Sequence, residues 1–159
     1  MSDADLVKLY SGRILALAAD IPHLGRLPAP QGTARKRSPL CGSVVTADVV
    51  LDQGRVSRFA QDVKACALGQ AAAAVVGAAV IGRTRAEIET ARDQLTAMLK
   101  AAGPTPAAPF DGFEALTPAR EFKNRHASIL LAIEAAADAV AAAETAAEST
   151  AETAPLPSH

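Results

Sequence analysis

A chain of 159 residues is long enough for one domain with its own core. Half of the residues are hydrophobic, but only 3% are aromatic and tryptophan is absent, so Ala, Val, Leu and Ile must build that core. A formal net charge of -1 gives no global field for nucleic acid or an anionic membrane, and two cysteines cannot form a disulfide framework.

The opening "MSDADLVK" is acidic and lacks the basic start and apolar core of a signal peptide. It predicts a reduced cytoplasmic compartment in which thiols stay free. From Asp5 to Ala19, residues Leu6, Leu9, Tyr10, Ile14 and Leu17 recur at helical spacing and predict an amphipathic helix. It should end at "ADIPHLG", where Pro22 and Gly25 break the pattern and His23 reads as a solvated turn residue.

Between Gly32 and Val63 the pattern becomes strand-like. "GTARKRS" alternates small or polar residues with basic ones, "SVVTADVVL" is rich in β-branched side chains, and "VSRFAQDV" returns after the hairpin signal "DQGR". No crossover helix separates these runs, so a sheet of about three antiparallel strands is expected. The basic triplet Arg35, Lys36 and Arg37 reads as the wet face of a strand or as a docking patch.

After Cys66 the pattern turns helical. Ala67 to Ile81 is apolar nearly all round and should be the central buried helix, covering the sheet in an α/β (α+β) sandwich. As a membrane span it is poor, because Ala and Gly supply little transfer energy, Gln70 interrupts it and Arg83 and Arg85 follow. "TRAE", Thr84 to Glu87, is a capping box opening a helix that should run to about Ala101, before Gly103 and Pro104. "GPTPAAP" is a linker within the domain, and a short helical segment is expected around Phe110 to Leu116. The last helix should begin near His126, with Ile129, Leu130, Ile133, Ala137 and Val140 on one face. Residues 1–143 are thus expected to form a single domain, and 144–159, "ETAAESTAETAPLPSH", a disordered tail.

Three residues could carry chemistry. Cys41 sits in "SPLCGS", approaching a strand; Cys66 sits where a strand hands over to the central helix; His126 opens the last helix. Helix N-termini favour thiolate and neutral imidazole, the forms that bind metal. Two sulfurs and one imidazole form a soft donor set suited to zinc, iron or an iron–sulfur cluster. The competing readings are a buried small hydrophobe for Cys66, a loop thiol for Cys41 and a surface histidine for His126.

The order of these features resembles the NifU/IscU-type iron–sulfur cluster assembly scaffolds. That pattern opens with a helix ending in a His-bearing Pro/Gly turn, as "LYSGRILALAADIPHLGRLP" does. A C-G-D motif then starts a strand, matched by Cys41-Gly42-Ser43, and a G-C-A motif leads into a helix of small residues, matched by Ala65-Cys66-Ala67. A basic residue and a third cysteine start the last helix; here Lys123-Asn124-Arg125-His126 precedes "ASILLAIEAA". The likeness spans Asp5 to Ala143 and departs at three points: His126 stands for the third cysteine, Ser43 for the acid and Ala65 for the glycine.

The resemblance implies a non-catalytic scaffold that takes sulfur from a cysteine desulfurase, assembles a cluster on iron and passes it to acceptor proteins. It implies Cys41, Cys66 and His126 as ligands of a [2Fe-2S] cluster or iron, Cys66 or Cys41 as persulfide acceptor, and Ser43 and Lys123 as accessory groups. Weak self-association belongs to the same expectation; nucleic acid and membrane partners do not. The alternative is a zinc-binding member of the family that acts in sulfur transfer or regulation without assembling clusters. An interaction protein with inert thiols is the third reading.

Overall fold

The computed structural model describes residues 10–39 and 42–153. Its elements are α1 (Gly12–Ala19), β1 (Gly32–Arg37), β2 (Val44–Asp52), β3 (Arg55–Lys64), α2 (Ala67–Ala79), α3 (Arg85–Lys100), 3-10 segments at Phe110–Glu121 and Lys123–Arg125, and α4 (His126–Thr153). The strands form one antiparallel sheet in the order β1-β2-β3. The expected three-stranded α+β sandwich is therefore the observed one.

The alternation of β2 explains the layering. Val45, Ala47 and Val49 are at most 1% exposed and face α4, which crosses both β1 and β2. Aromatic side chains are too few to fill the space, so the helices come close instead. At Gly32 of β1 a Cβ would collide with the Ala139 carbonyl and with Ala143 of α4, so only glycine permits this approach. Helix α2 is buried over most of its surface, as its all-round apolar sequence requires, and packs between α1 and α4.

The turn after α1 is fastened along β3. The Gln61 N–H donates to the His23 carbonyl at 2.9 Å, and the Gly25 N–H donates to the Gln61 carbonyl at 2.8 Å. The fully buried Gln61 amide donates from Nε2 to the Pro22 carbonyl at 3.2 Å and to the Ala73 carbonyl at 2.9 Å. One side chain therefore ties the first turn, the sheet and α2 together.

Helix α3 opens on the expected capping box. Thr84 Oγ1 accepts from the Glu87 N–H at 3.2 Å, and Glu87 Oε1 accepts from the Thr84 N–H at 3.1 Å. The segment expected around Phe110 to Leu116 is a longer 3-10 run, Phe110–Glu121, whose Phe113, Leu116 and Ala119 are buried.

Two expectations about the ends change. The first helix was expected over Asp5 to Ala19; its described part begins at Gly12 behind the N-cap Ser11, and residues 1–9 lie outside the described residues. The last helix does not give way to a tail at 144 but continues to Thr153. Ala and Glu are strong helix formers, Ala143 is fully buried, and Glu144 pairs with Arg85 at 3.2 Å, which carries the helix past the expected boundary. Residues 154–159 lie outside the described residues. The span Lys123–Ala147 is long and apolar enough to cross a membrane, but 72% of its apolar 18-residue window is buried within the fold, so that apolar surface is spent on packing.

Candidate functional site

The register of the sheet brings the strand ends beside Ser43 and Cys66 together. Arg37, the last residue of β1, pairs with Val44, the first of β2, and Val44 pairs with Lys64, the last of β3. The β1–β2 connection and the start of α2 therefore emerge side by side. Within that connection the Ser38 N–H donates to the Ser43 carbonyl at 2.8 Å, and the Gly42 N–H donates to the Ser38 carbonyl at 3.0 Å. Gly42 takes a left-handed conformation, φ 70°, which the tight turn needs and a side chain would strain. Cys41 lies outside the described residues; its neighbours Gly42 and Ser43 are held in place by this turn.

Cys66 is the N-cap residue of α2, with extended backbone and a half-buried thiol. Its carbonyl accepts the Gln70 N–H at 2.9 Å, so the first helical bond starts at this residue. Its Sγ lies 3.4 Å from Ser128 Oγ, and Ser128 Oγ lies 3.1 Å from Ser43 Oγ. Both serines are buried, Ser128 at 1% and Ser43 at 4% exposure. Ser43 thus joins the site through Ser128. Ser128 is a residue that sequence reasoning missed, since nothing in "HASILL" marks it out.

His126 is 5% exposed, and its Nε2 lies 3.0 Å from the Ala119 carbonyl oxygen and 3.1 Å from that of Arg120. Carbonyl oxygens only accept, so Nε2 carries the proton and donates; in the neutral ring the lone pair is left on Nδ1. Two residues apart on an α-helix differ by roughly 200° around the axis. With Ser128 turned to Cys66, the His126 ring is turned to the 3-10 segment. There it lines a cavity of about 480 Å³ together with Arg120, Lys123 and Leu99. Lys123 is exposed at that cavity.

The donor set that the described residues bring together is one soft sulfur and two neutral hydroxyls. Among the described residues no three His, Cys, Asp or Glu side chains cluster at metal-binding distance. Hydroxyls are weak ligands, so a cation at Cys66 needs a further sulfur, nitrogen or carboxylate donor. The other cysteine, Cys41, stands two positions before Ser43 in the sequence and lies outside the described residues.

A three-stranded antiparallel sheet, a buried small-residue helix and a thiol at that helix's cap define an α+β scaffold-like domain. The chain belongs to the NifU-like family, the NifU/IscU type that its sequence order resembles. It is 41% identical to the N-terminal part of a nitrogen-fixing NifU-like protein from Brucella abortus, over 89% of this chain and 98% of that one, with a TM-score of 0.86. The same fold recurs in a hypothetical protein at 21% identity, covering 85% of this chain and 98% of that one, with a TM-score of 0.75. It recurs again in a SUF-system protein from Fervidobacterium islandicum AW-1, assigned as an iron–sulfur cluster assembly scaffold, at 18% identity. That match covers 84% of this chain and 98% of the other, with a TM-score of 0.74. No protein-family model and no curated protein matches the sequence.

Proposed function

We propose that this protein is a scaffold on which an iron–sulfur cluster is built and from which it is passed on. The observation that carries the reading is Cys66 at the cap of α2, reached by Ser128 of α4, in a chain of the NifU-like family. The cluster is cargo, and the protein contributes the thiols that receive it. Cys66, or Cys41, accepts sulfur from the persulfide of a cysteine desulfurase. The acceptor thiolate attacks the outer sulfur, the donor's sulfur–sulfur bond breaks, the donor thiolate leaves, and the acceptor becomes the persulfide.

Cys41 and Cys66 supply the two sulfurs for iron; His126, whose ring is turned to the 3-10 segment, joins them as a nitrogen ligand only after it leaves the Ala119 and Arg120 carbonyls and swings toward Cys66. Ser43 and Lys123 are accessory groups, one beside the thiols and one at the cavity behind His126. A cytoplasmic setting, a desulfurase donor and cluster-accepting partners belong to the same proposal.

A second reading is a zinc-binding member that works in sulfur transfer or regulation without assembling clusters. The neutral hydroxyls of Ser43 and Ser128 around Cys66 favour it, since they add no negative charge to the site. Anaerobic reconstitution with iron, sulfide and a desulfurase, followed by absorption spectroscopy, decides between them. The scaffold reading expects a cluster chromophore that transfers to an apo-acceptor; zinc retained and no chromophore supports the second.

A further inference from the structure

We propose that the cavity between the end of α3 and the 3-10 segments is a binding site for a small organic anion, a carboxylate or phosphate head on a compact apolar body. The assignment uses neither thiol and stands apart from the scaffold reading. The cavity's volume of about 480 Å³ falls within the ~300–1,000 Å³ of small-molecule sites. The space exists because α3 ends on short side chains. Ala101 and Ala102 form part of the wall, beside the buried Leu99.

The wall carries three cations, Lys100, Arg120 and Lys123, and no Asp or Glu, in a chain whose net charge is -1. Arg120 is held in place. Its Nε donates to the Met98 carbonyl at 2.8 Å and its Nη2 to the Gly103 carbonyl at 3.0 Å. Those bonds occupy carbonyls at the end of α3 that would otherwise repel an anion. They use one side of the guanidinium. Nη1 has no acceptor among the described residues and is not buried, so it is left to donate to a ligand. Lys100 and Lys123 are exposed and add attraction beside it. Glu134 of α4 feels the charge of Lys100, but it feels Lys36 and Arg92 as well and is not in the wall. A bare inorganic ion would leave Leu99, Ala101 and Ala102 wet, whereas an anion with an apolar body also covers that surface.

The test is an NMR titration of the full chain at low ionic strength with benzoate, phenyl phosphate, benzyl alcohol and inorganic phosphate. Benzoate and phenyl phosphate should move the amide signals of residues 99–102 and 120–126 together and to saturation. Benzyl alcohol keeps the ring without the charge, and inorganic phosphate keeps the charge without the ring. Each should bind about fivefold more weakly, or worse, than its counterpart. Lys100→Gln combined with Lys123→Gln should weaken benzoate about fivefold and leave benzyl alcohol unchanged. Ala101→Phe puts a ring at the wall and should weaken benzoate and benzyl alcohol alike. These variants leave Arg120 and His126 in place, a dispersed amide spectrum establishes that they fold, and the comparison of probes on the native chain stands without them. Equal affinity for benzoate and benzyl alcohol would remove the role of the cations. Equal affinity for phenyl and inorganic phosphate would remove that of the apolar wall. Shifts that scatter over the surface or never saturate would remove the site, and any of the three overturns the assignment.

Discussion

Arg26 Nε stands 2.6 Å from Asp48 Oδ2, and Arg26 Nη2 stands 3.2 Å from Oδ1, so an exposed turn residue neutralises a carboxylate buried in the middle strand. Thr33 Oγ1 and the Leu27 N–H donate to the same carboxylate at 2.6 and 3.1 Å. Burial pushes the Asp48 carboxyl up, but hydrogen bonds from Arg26, Thr33 and Leu27, with the Arg26 charge, outweigh it and hold it below its ordinary value.

A carboxyl whose folded value is depressed stabilises the fold fully above its unfolded value, about 4, and loses that contribution as pH falls through the folded value. Asp48→Asn should cost about 1–3 kcal/mol at neutral pH and flatten the acid side of the stability profile. Urea unfolding midpoints of both proteins from about pH 2 to 7 measure this. Parallel profiles for the two proteins would show that Asp48 contributes nothing to the acid limb.

Gly69→Ala should be more damaging than an ordinary glycine replacement in a helix. Propensity alone would favour alanine, but the new Cβ would meet Ser128 Oγ and the Ala65 Cβ at 2.8 Å each. Overpacking of this kind costs about 1–3 kcal/mol, so thermal unfolding should move down rather than up. A variant as stable as the native chain would mean that α2 and α4 separate easily at the site.

At the start of α3, Thr84→Ala removes the hydroxyl that accepts from the Glu87 N–H. The cost should be about 1 kcal/mol, read as a lower unfolding midpoint with an unchanged denaturant slope. Glu87 itself is held below its ordinary value, first by the Thr84 N–H, with burial opposing, and then by the Thr84 hydroxyl and Arg83. The Thr84 hydroxyl also donates to Glu87 Oε1 at 3.2 Å, so the loss from Thr84→Ala should be larger at pH 7 than below the carboxyl's folded value, where that oxygen no longer carries charge.

His126→Cys tests the imidazole against the thiolate that the family pattern has at this place. Thiolate is softer and more negative, so cluster half-life after reconstitution should lengthen, and lengthen further when Ser43→Asp is added. The replacement also removes the Nε2 donor to the Ala119 and Arg120 carbonyls, so a drop in stability of about 1 kcal/mol should accompany it. Unchanged half-lives alongside that drop would assign His126 to clasping the 3-10 segment and exclude it as a ligand.

Much of the fold follows from sequence because its determinants are local. The Thr84–Glu87 box spans three residues, the strand alternation has period two, and the all-round apolar run after Cys66 needs no partner to mark it as buried. The order of cysteine contexts likewise places the chain in its family. The site is different because it rests on contacts between distant residues. Cys66 meets Ser128 across 62 positions, and Ser43 meets Ser128 across 85. Which residue of α4 faces the thiol depends on how that helix is rotated, and each residue turns it by about 100°. Packing fixes the rotation: the apolar face of α4 lies on β1 and β2, Gly32 and Gly69 allow it to approach, and Ser128 is brought to the sulfur while His126 Nε2 reaches the carbonyls of Ala119 and Arg120. The sequence alone determined the three-stranded sheet, the buried helix after Cys66 and the capping box at Thr84. The tertiary structure decided that α4 meets Cys66 with a hydroxyl, because only the packed helix has a fixed rotation.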